Sequence, residues 1–138
     1  MNKWGILGLQ ETHESIEASL RVEESNPHFI CFPNPGTANS AGTAIMILRD
    51  YCTEQPVEDI KHNILIPGRA HSVTLNWKGR EEITIVNVYA PNRARDAIDF
   101  FRELAGKLPS KVDFILGDFN HIENAHDRLP NRGPPSEE

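Results

Sequence analysis

The sequence has no long apolar run, no basic leader followed by an apolar segment, and no lipidation motif at either end. A helix that crosses a bilayer needs about 20 consecutive apolar residues, and a secretory leader needs a basic start before an apolar stretch. These absences predict that the chain neither inserts into a membrane nor is secreted. We therefore expect an intracellular, soluble protein.

Cysteine is also scarce, since Cys31 and Cys52 are the whole complement. The two thiols stand outside any paired-ligand spacing, and Cys31 lies in an apolar run typical of a strand. We expect two buried thiols that form no disulfide, and no redox role.

An excess of positive charge is missing too. Lys and Arg number 14 against 20 Asp and Glu, which gives a formal net charge of −6. Proteins that hold nucleic acid by a general basic surface neutralise its phosphates with clustered Lys and Arg. Any contact between this chain and a phosphodiester must therefore be local, and we expect a metal ion to assist it.

The sequence does contain enough apolar material for one domain, because 38% of its 138 residues are hydrophobic and this fits a single core. Strict alternation over residues 71–77 and an apolar run over 83–88, with a turn at 78–80, predict a β-hairpin. Its second strand becomes continuously apolar, which indicates that it enters the interior of the sheet.

Other segments have weaker patterns. An amphipathic helix is predicted over 93–108, capped by Asn92 and buried through Ala97, Ile98, Phe101, Leu104, Ala105 and Leu108. Short apolar runs predict buried strands at 4–9, 28–32, 43–48 and 112–116. The remaining predictions are an exposed helix at 14–24, a loop at 33–36, and a loop over 49–63 leading to a short strand at 64–66.

Polar residues follow or precede these strands at four corners, which are Glu11, residues 40–42, residues 89–92 and residues 118–120. Strand ends that share one rim would bring the corners together. If the carboxylates of Glu11 and Asp118 approach to about 4 Å, their repulsion is on the order of 4 kcal/mol at an effective dielectric near 20. A divalent cation would relieve it, and an all-oxygen ligand set suits Mg²⁺ or Mn²⁺ rather than zinc.

The other side chains fit the same interpretation. Tyr89 would donate its hydroxyl to a phosphate, and Asn120 would orient the nucleophile or the scissile group. Each residue also has an ordinary interpretation: a solvated carboxylate, a core tyrosine with a wet hydroxyl, or an Asx turn after a strand. The six histidines form no convincing set, and we expect His121 and His126 to be surface residues.

The motifs Leu9-Gln10-Glu11-Thr12, Ser40-Ala41-Gly42, Asn87-Val88-Tyr89-Ala90-Pro91-Asn92 and Gly117-Asp118-Phe119-Asn120 resemble successive motifs of the DNase-I-like endonuclease/exonuclease/phosphatase superfamily, in its order. Glu123 and the segment 125–128 also resemble the apurinic/apyrimidinic-type endonuclease domain of LINE-like retrotransposons. The resemblance implies a catalytic role for Tyr89, Asp118 and Asn120 and a Mg²⁺ or Mn²⁺ ligand in Glu11. It also implies phosphate binding by Asn92 and supporting roles for Asp127, Ser40 and Gly42.

The departures from the family matter as well. Its first strand, with an asparagine motif, and its Ser-Asp-His motif have no counterpart here, so residues 1–129 should form a partial domain and 130–138 a disordered tail. The expected fold is α/β (α+β), a partial four-layer α/β/β/α sandwich with mostly antiparallel sheet. One sheet should be nearly complete and the other largely missing, which would leave an apolar face uncovered.

Two functions remain open at this point. The resemblance implies a divalent-metal-dependent phosphodiester hydrolase that cuts nucleic acid, with DNA as the expected substrate and no organic cofactor. The missing motifs predict that such a chain is weakly active or inactive. The alternative is a non-catalytic remnant, or a fragment of a retrotransposon polyprotein that binds a partner over its uncovered sheet.

Overall fold

The computed structural model describes residues 5–12, 27–37, 40–52, 55–77 and 81–120, with only the backbone of Ser40 and Ala41. The helix predicted at 14–24, the turn at 78–80, Glu123, Asp127, both His121 and His126, and the tail at 130–138 lie outside these residues. Those predictions therefore stay predictions.

The first sheet has three antiparallel strands in the order β1-β3-β2, formed by β1 (Ile6–Gln10), β2 (Phe29–Thr37) and β3 (Ser40–Leu48). The prediction of a loop at 33–36 is wrong, because β2 continues through Pro33 and Pro35 and pairs with β3 along its length. Proline lacks an amide donor and is tolerated on edge strands, and β2 is an edge of this sheet.

The second sheet has four strands in the order β4-β5-β6-β7, formed by β4 (Lys61–Ile66), β5 (Ala70–Trp77), β6 (Glu81–Tyr89) and β7 (Phe114–Asp118). Strands β5 and β6 form the predicted hairpin, and β6 lies inside the sheet as its apolar run indicates. Strand β7 is parallel to β6. The segment predicted as a loop over 49–63 contains two short 3-10 turns (Arg49–Cys52 and Val57–Asp59) and the start of β4.

Helix α1 (Ala94–Lys107) connects β6 to β7 and packs on the second sheet. It buries Ala97, Phe100 and Leu104, whereas Ile98, predicted to be in the core, is 58% exposed. The apolar residues form two overlapping stripes, and the sheet covers the stripe centred on Phe100. Asn92 is not the cap: Arg93 occupies the N-cap position, and no side chain caps the helix there.

The two sheets pack face to face around one core. Ile45 and Ile47 of β3 meet Val73 and Leu75 of β5 there, and all four side chains are fully buried. The prediction that one sheet is nearly complete and the other largely missing is wrong, since three strands and four strands share the core. Helix, sheet and sheet give three layers of the expected α/β/β/α sandwich.

In the part of the chain that the structure describes, an apolar surface is nevertheless uncovered. Strand β7 was predicted to be buried, but it is an edge strand whose Phe114 and Ile115 are 55% and 46% exposed. Beside it lies an open groove of about 360 Å³ lined by Ile6, Trp77, Glu81, Ile83, Ile85, Phe114 and Leu116. The apolar sequence of β7 predicted burial, but burial also requires a neighbouring element, which the sequence pattern of one strand does not indicate.

Two further predictions concern cysteine and the membrane. Cys31 and Cys52 are both buried thiols, as expected, and neither forms a disulfide. Burial raises the pKa of Cys52, which keeps this thiol protonated and unreactive. In the part of the chain that the structure describes, no helix has the length and apolar character to cross a membrane.

Candidate active site

The carboxyl ends of β1, β6 and β7 lie at one edge of the sandwich. Strands β6 and β7 are parallel with Tyr89 opposite Asp118, and the amide of Ala90 donates to the carbonyl oxygen of Asp118 at 2.9 Å. Strand β1 ends beside them, because Glu11 contacts Tyr89. Three of the four corners predicted from the sequence thus meet at this edge, and the fourth, at residues 40–42, adjoins Glu11 because the amide of Thr12 donates to the carbonyl oxygen of Gly42.

Two carboxylates, those of Glu11 and Asp118, act on the phenol of Tyr89. Partial burial raises the pKa of its phenol, and the negative charge of Glu11, a hydrogen bond with Glu11 and the charge of Asp118 raise it further. Arg69 opposes these effects through its positive charge. The phenol therefore keeps its proton at neutral pH and acts as a hydrogen-bond donor.

The Asp118 corner is a tight turn. The Asp118 carboxylate accepts a hydrogen bond from the amide of Asn120 at 3.0 Å, so the Asx turn considered from the sequence does form. The Asn120 side chain donates to the carbonyl oxygen of Ala90 at 2.8 Å. Asn120 also has a φ of +48°, and these bonds hold its backbone in that left-handed conformation.

Gly117 allows β7 to approach β6 closely enough to form this corner. Its φ is +139°, which side chains rarely permit. A Cβ atom built on Gly117 would collide with the carbonyl oxygen of Val88. Only glycine fits at this position, since both the backbone conformation and the space exclude a side chain.

Glu11 is held in a second strained turn. Its φ is +54°, and the next residue, Thr12, donates its amide to the carbonyl oxygen of Gly42 at 3.2 Å. Gly42 has a φ of +97°, and a Cβ atom there would lie 2.9 Å from Oγ1 of Thr12. Gly42 therefore supports Glu11 through its backbone, while the side chain of Ser40 lies outside the described residues.

Asn92 is at the same end of β6 but is less well placed. Its side chain is exposed, three residues beyond Tyr89 and before the start of α1. It lies near the edge that carries Tyr89, and its proposed phosphate contact stays a prediction. Asp127, the other supporting residue, is outside the described part of the chain.

Arg69 belongs to this edge, although it is not among the site residues predicted from the sequence. Its guanidinium donates to the carbonyl oxygen of Tyr89 at 3.0 Å and lies 5.3 Å from the centroid of the Tyr89 ring. Its turn is held by Asn34, whose Oδ1 accepts from the amide of Gly68 at 2.8 Å. The Pro67-Gly68-Arg69 turn could have indicated this position from the sequence. It comes just before β5, and the start of β5 pairs with the end of β6, where Tyr89 lies.

A buried polar chain behind the edge was missed as well. His62 and His71 contact each other through Nε2 and Nδ1 at 2.9 Å, and Nε2 of His71 lies 3.4 Å from Nδ2 of Asn87. Gln10 donates to Oδ1 of Asn87 at 2.7 Å. Asn87 interrupts an apolar run in the sequence, and a polar residue inside a buried strand was the signal that could have revealed it.

The donor set limits what metal this edge could hold. Within residues 5–12, 27–37, 40–52, 55–77 and 81–120, no group of three His, Cys, Asp or Glu side chains surrounds a common point. A transition-metal cage is therefore not built from these residues. Mg²⁺ binds through one or two carboxylates and keeps several waters, and the exposed carboxylate of Glu11 fits that mode.

Solved structures resemble this architecture. ANGEL2, a 2′,3′-cyclic phosphatase crystallised with adenosine-2′,3′-vanadate, matches with a TM-score of 0.58 and 16% identity over 88% of this chain and 41% of ANGEL2. A second ANGEL2 structure gives a TM-score of 0.56 and 14% identity over 88% of this chain and 40% of that one. TDP2 from C. elegans gives a TM-score of 0.51 and 16% identity over 95% of this chain and 41% of TDP2.

Both proteins belong to the DNase-I-like superfamily. The fold is DNase-I-like. At such low identity the likeness establishes the fold alone, and no protein-family profile matches the sequence. The chain spans about two fifths of the length of the DNase-I-like structures it matches, at 40% to 41%.

Proposed function

We propose that this chain is a divalent-metal-dependent phosphodiester hydrolase domain that acts on nucleic acid as an endonuclease. One observation carries the proposal: Tyr89 is hydrogen-bonded to Glu11 and paired with Asp118 at one edge of a DNase-I-like fold. Two carboxylates and a protonated phenol at the same edge supply a metal ligand, a proton-transfer group and a phosphate donor.

Each residue has a separate role in this proposal. Glu11 holds Mg²⁺ or Mn²⁺, which when bound polarises a phosphoryl oxygen. Tyr89 donates its hydroxyl to the phosphate, Asp118 takes or gives a proton, and Asn120 orients the phosphate or the nucleophile. Asn92 is proposed to contact the phosphate, with Asp127, Ser40 and Gly42 in support.

The proposed substrate is DNA. ANGEL2 is a 2′,3′-cyclic phosphatase, which supports chemistry at a phosphate ester but not a particular nucleic acid. The order of the motifs supports the narrower proposal of an apurinic/apyrimidinic-type domain from a LINE-like retrotransposon. Because the chain has a net charge of −6, attraction to the duplex is confined to the edge that carries Arg69 and the metal.

A nicking assay tests this function. An abasic-site duplex and a plain duplex oligonucleotide are incubated with the 138-residue chain in Mg²⁺ and in Mn²⁺. We expect slow, metal-dependent cleavage, because the sequence has no Ser-Asp-His motif and general acid and base groups contribute about 10²- to 10⁴-fold each. Asp118→Ala and Glu11→Gln should both abolish it.

The matched control is Asp99→Asn, which removes an exposed carboxylate from α1. It should cleave as the parent does. Cleavage that persists in Asp118→Ala would show that another group, or a contaminant, performs the reaction. A parent that neither cleaves nor binds Mn²⁺ would overturn the proposal.

A second candidate function is binding of a partner strand without catalysis. The exposed Phe114 and Ile115 on the edge of β7, and the groove beside them, favour it. An unpaired edge with apolar side chains accepts an added strand through main-chain hydrogen bonds.

Sedimentation velocity over a range of concentrations distinguishes this candidate. Parent chains should then associate through β7, and Ile115→Lys should keep them monomeric. Ile98→Lys alters an equally apolar, exposed residue on α1 and should leave association unchanged. A parent that stays monomeric, or an equal effect of both variants, would exclude β7 as a pairing edge.

A further inference from the structure

Asn87 joins the two sheets directly behind the candidate site. Its fully buried side chain extends from β6, and Nδ2 donates to the carbonyl oxygens of Leu9 and Ala44, both at 3.0 Å. Leu9 and Ala44 are partners across the β1–β3 ladder. The carboxamide of Asn87 thus binds β1 and β3 at the Leu9–Ala44 pair, which is the last but one pair of their ladder. Leu9 lies two residues before Glu11.

Asn87 and Tyr89 point toward the same strand. Residues i and i+2 of a strand project from one face of its sheet, so both side chains of β6 face β1. Asn87 contacts Leu9 and Gln10 there, and Tyr89 contacts Glu11. Asn87 and Tyr89 are two residues apart on β6, and their partners Leu9 and Glu11 are likewise two residues apart.

Gly8 leaves the room that this contact needs. A Cβ atom on Gly8 would lie 2.7 Å from Oδ1 of Asn87 and 3.1 Å from its Cγ. Real Cβ atoms do not approach neighbours so closely, so a side chain at Gly8 would displace the carboxamide. Gly8 thereby allows β1 to lie directly against Asn87.

Neighbouring groups also fix the orientation of the carboxamide. Gln10 donates to Oδ1 at 2.7 Å, which leaves Nδ2 facing the two carbonyl oxygens and Nε2 of His71. Nδ2 is a donor only, so Nε2 of His71 must be the unprotonated nitrogen. His71 then donates from Nδ1 to Nε2 of His62, at 2.9 Å. A carboxamide turned by 180° would place Oδ1 against the two carbonyl oxygens and Nδ2 against the donor Nε2 of Gln10.

We propose that Asn87 is a positioning residue: its carboxamide clamps the end of β1 onto β3 and thereby fixes the Glu11 carboxylate against Tyr89. Glu11 needs such support because its φ of +54° is unfavourable for a residue with a side chain. Without the clamp, β1 ends one pair earlier and Glu11 relaxes away from Tyr89. The effect of Asn87 on metal binding by Glu11 rests on the proposed function.

The position of Glu11 can be read by NMR without metal or substrate. The chain has two tyrosines, so ring signals of Tyr89 are readily assigned against Tyr51. The parent should show NOE cross-peaks between the Tyr89 ring and the Glu11 side chain. Asn87→Leu and Gly8→Ala should lose them, the first by removing the carboxamide and the second by displacing it.

Val86→Ala is the matched control. Val86 is also fully buried on β6 but lies on the opposite face, in the cluster under α1. It should lower stability and keep the cross-peaks. Cross-peaks that survive in Asn87→Leu, or in Gly8→Ala where Asn87→Leu fails to fold, would overturn the proposal. Their loss in Val86→Ala would do the same, because the effect would then be general loosening.

A Mn²⁺ titration separates this proposal from the proposed function. Groups that orient a metal ligand typically change affinity about 10- to 100-fold, so Glu11→Gln and Asn87→Leu should each raise Kd at least tenfold. The double variant should bind no more weakly than Glu11→Gln. If Glu11→Gln binds as the parent does, the proposed metal site is wrong and the NOE result alone decides the role of Asn87. If only Asn87→Leu leaves Kd unchanged, Asn87 does not position Glu11.

Discussion

His71 is a fully buried imidazole with polar partners at both ring nitrogens. Burial first, and then the neighbouring His62, lower its pKa to about 3. Burial also lowers the pKa of His62. A proton on Nε2 of His71 would face the donor Nδ2 of Asn87, so the folded chain requires the neutral ring.

The first prediction is that stability falls in mild acid because of His71. Its folded-state pKa of about 3 lies below the ordinary histidine value of 6.5. The unfolded chain therefore binds the extra proton between these values, and stability present above 6.5 is lost as the pH falls toward 3. The full effect is on the order of 5 kcal/mol, since one pKa unit corresponds to about 1.4 kcal/mol.

Urea unfolding at several values between about pH 7 and pH 4 measures this loss. His71→Gln keeps a polar side chain but removes the titration, so its free energy of unfolding should fall less steeply than that of the parent. His28→Gln changes an exposed histidine and should follow the parent curve. Parallel curves for the parent and His71→Gln would show that His71 does not control acid stability.

At the scale of elements, the apolar pattern of α1 predicted the helix correctly but predicted only part of its buried face. The helix packs on the sheet as predicted, but through Phe100 rather than Ile98. Phe101, predicted as an anchor, is half-buried and stacks on Phe119 with ring centroids 6.3 Å apart. The contact between α1 and the sheet therefore depends mainly on Phe100 and Leu104.

The second prediction concerns this contact. Phe100→Ala should lower the free energy of unfolding by about 3 to 5 kcal/mol, because it leaves a cavity under α1. Ile98→Ala, on the exposed stripe of the same helix, should change it by less than about 0.5 kcal/mol. Urea unfolding followed by circular dichroism compares the two. Equal losses would mean that the helix is rotated from the orientation described.

At the scale of the whole molecule, the two sheets depend on each other. Ile45 of the three-stranded sheet and Val73 of the four-stranded sheet belong to one cluster. Among the described residues, this face of each sheet is buried mainly against the other sheet, so the two sheets should unfold in one transition. The candidate site requires both, since Glu11 comes from the first sheet while Tyr89 and Asp118 come from the second.

The third prediction tests this cooperation. Ile45→Ala in β3 should cost about 2 to 5 kcal/mol, and the loss should appear equally in a probe on the other sheet. A Trp4→Phe background leaves Trp77, on β5, as the one fluorescent tryptophan. Its transition and that of circular dichroism should shift together. Ile64→Ala, at an exposed position of the edge strand β4, should move neither.

The sequence alone determined much of the framework, because its signals are local. Alternating and apolar runs located the β5–β6 hairpin, β1, β3 and α1, and the motifs at strand ends named Glu11, Tyr89, Asp118 and Asn120. The spacing of apolar residues and the residues that favour turns are properties of a few neighbouring residues, so they indicate helices, strands and turns without knowledge of what packs against them. The roles of the four site residues stay proposals.

Only the tertiary structure decided which surfaces meet. It extended β2 through two prolines because β2 is an edge, selected one stripe of α1, and left β7 exposed because no neighbour covers it in the described part of the chain. It also joined Gln10, Asn87, His71 and His62, which are 77, 16 and 9 residues apart in successive pairs. The Gln10–Asn87 contact joins the two sheets, and the contacts of His71 with Asn87 and His62 join neighbouring strands of the second sheet. Such contacts depend on how strands pair and pack, and no local pattern in the sequence encodes that pairing.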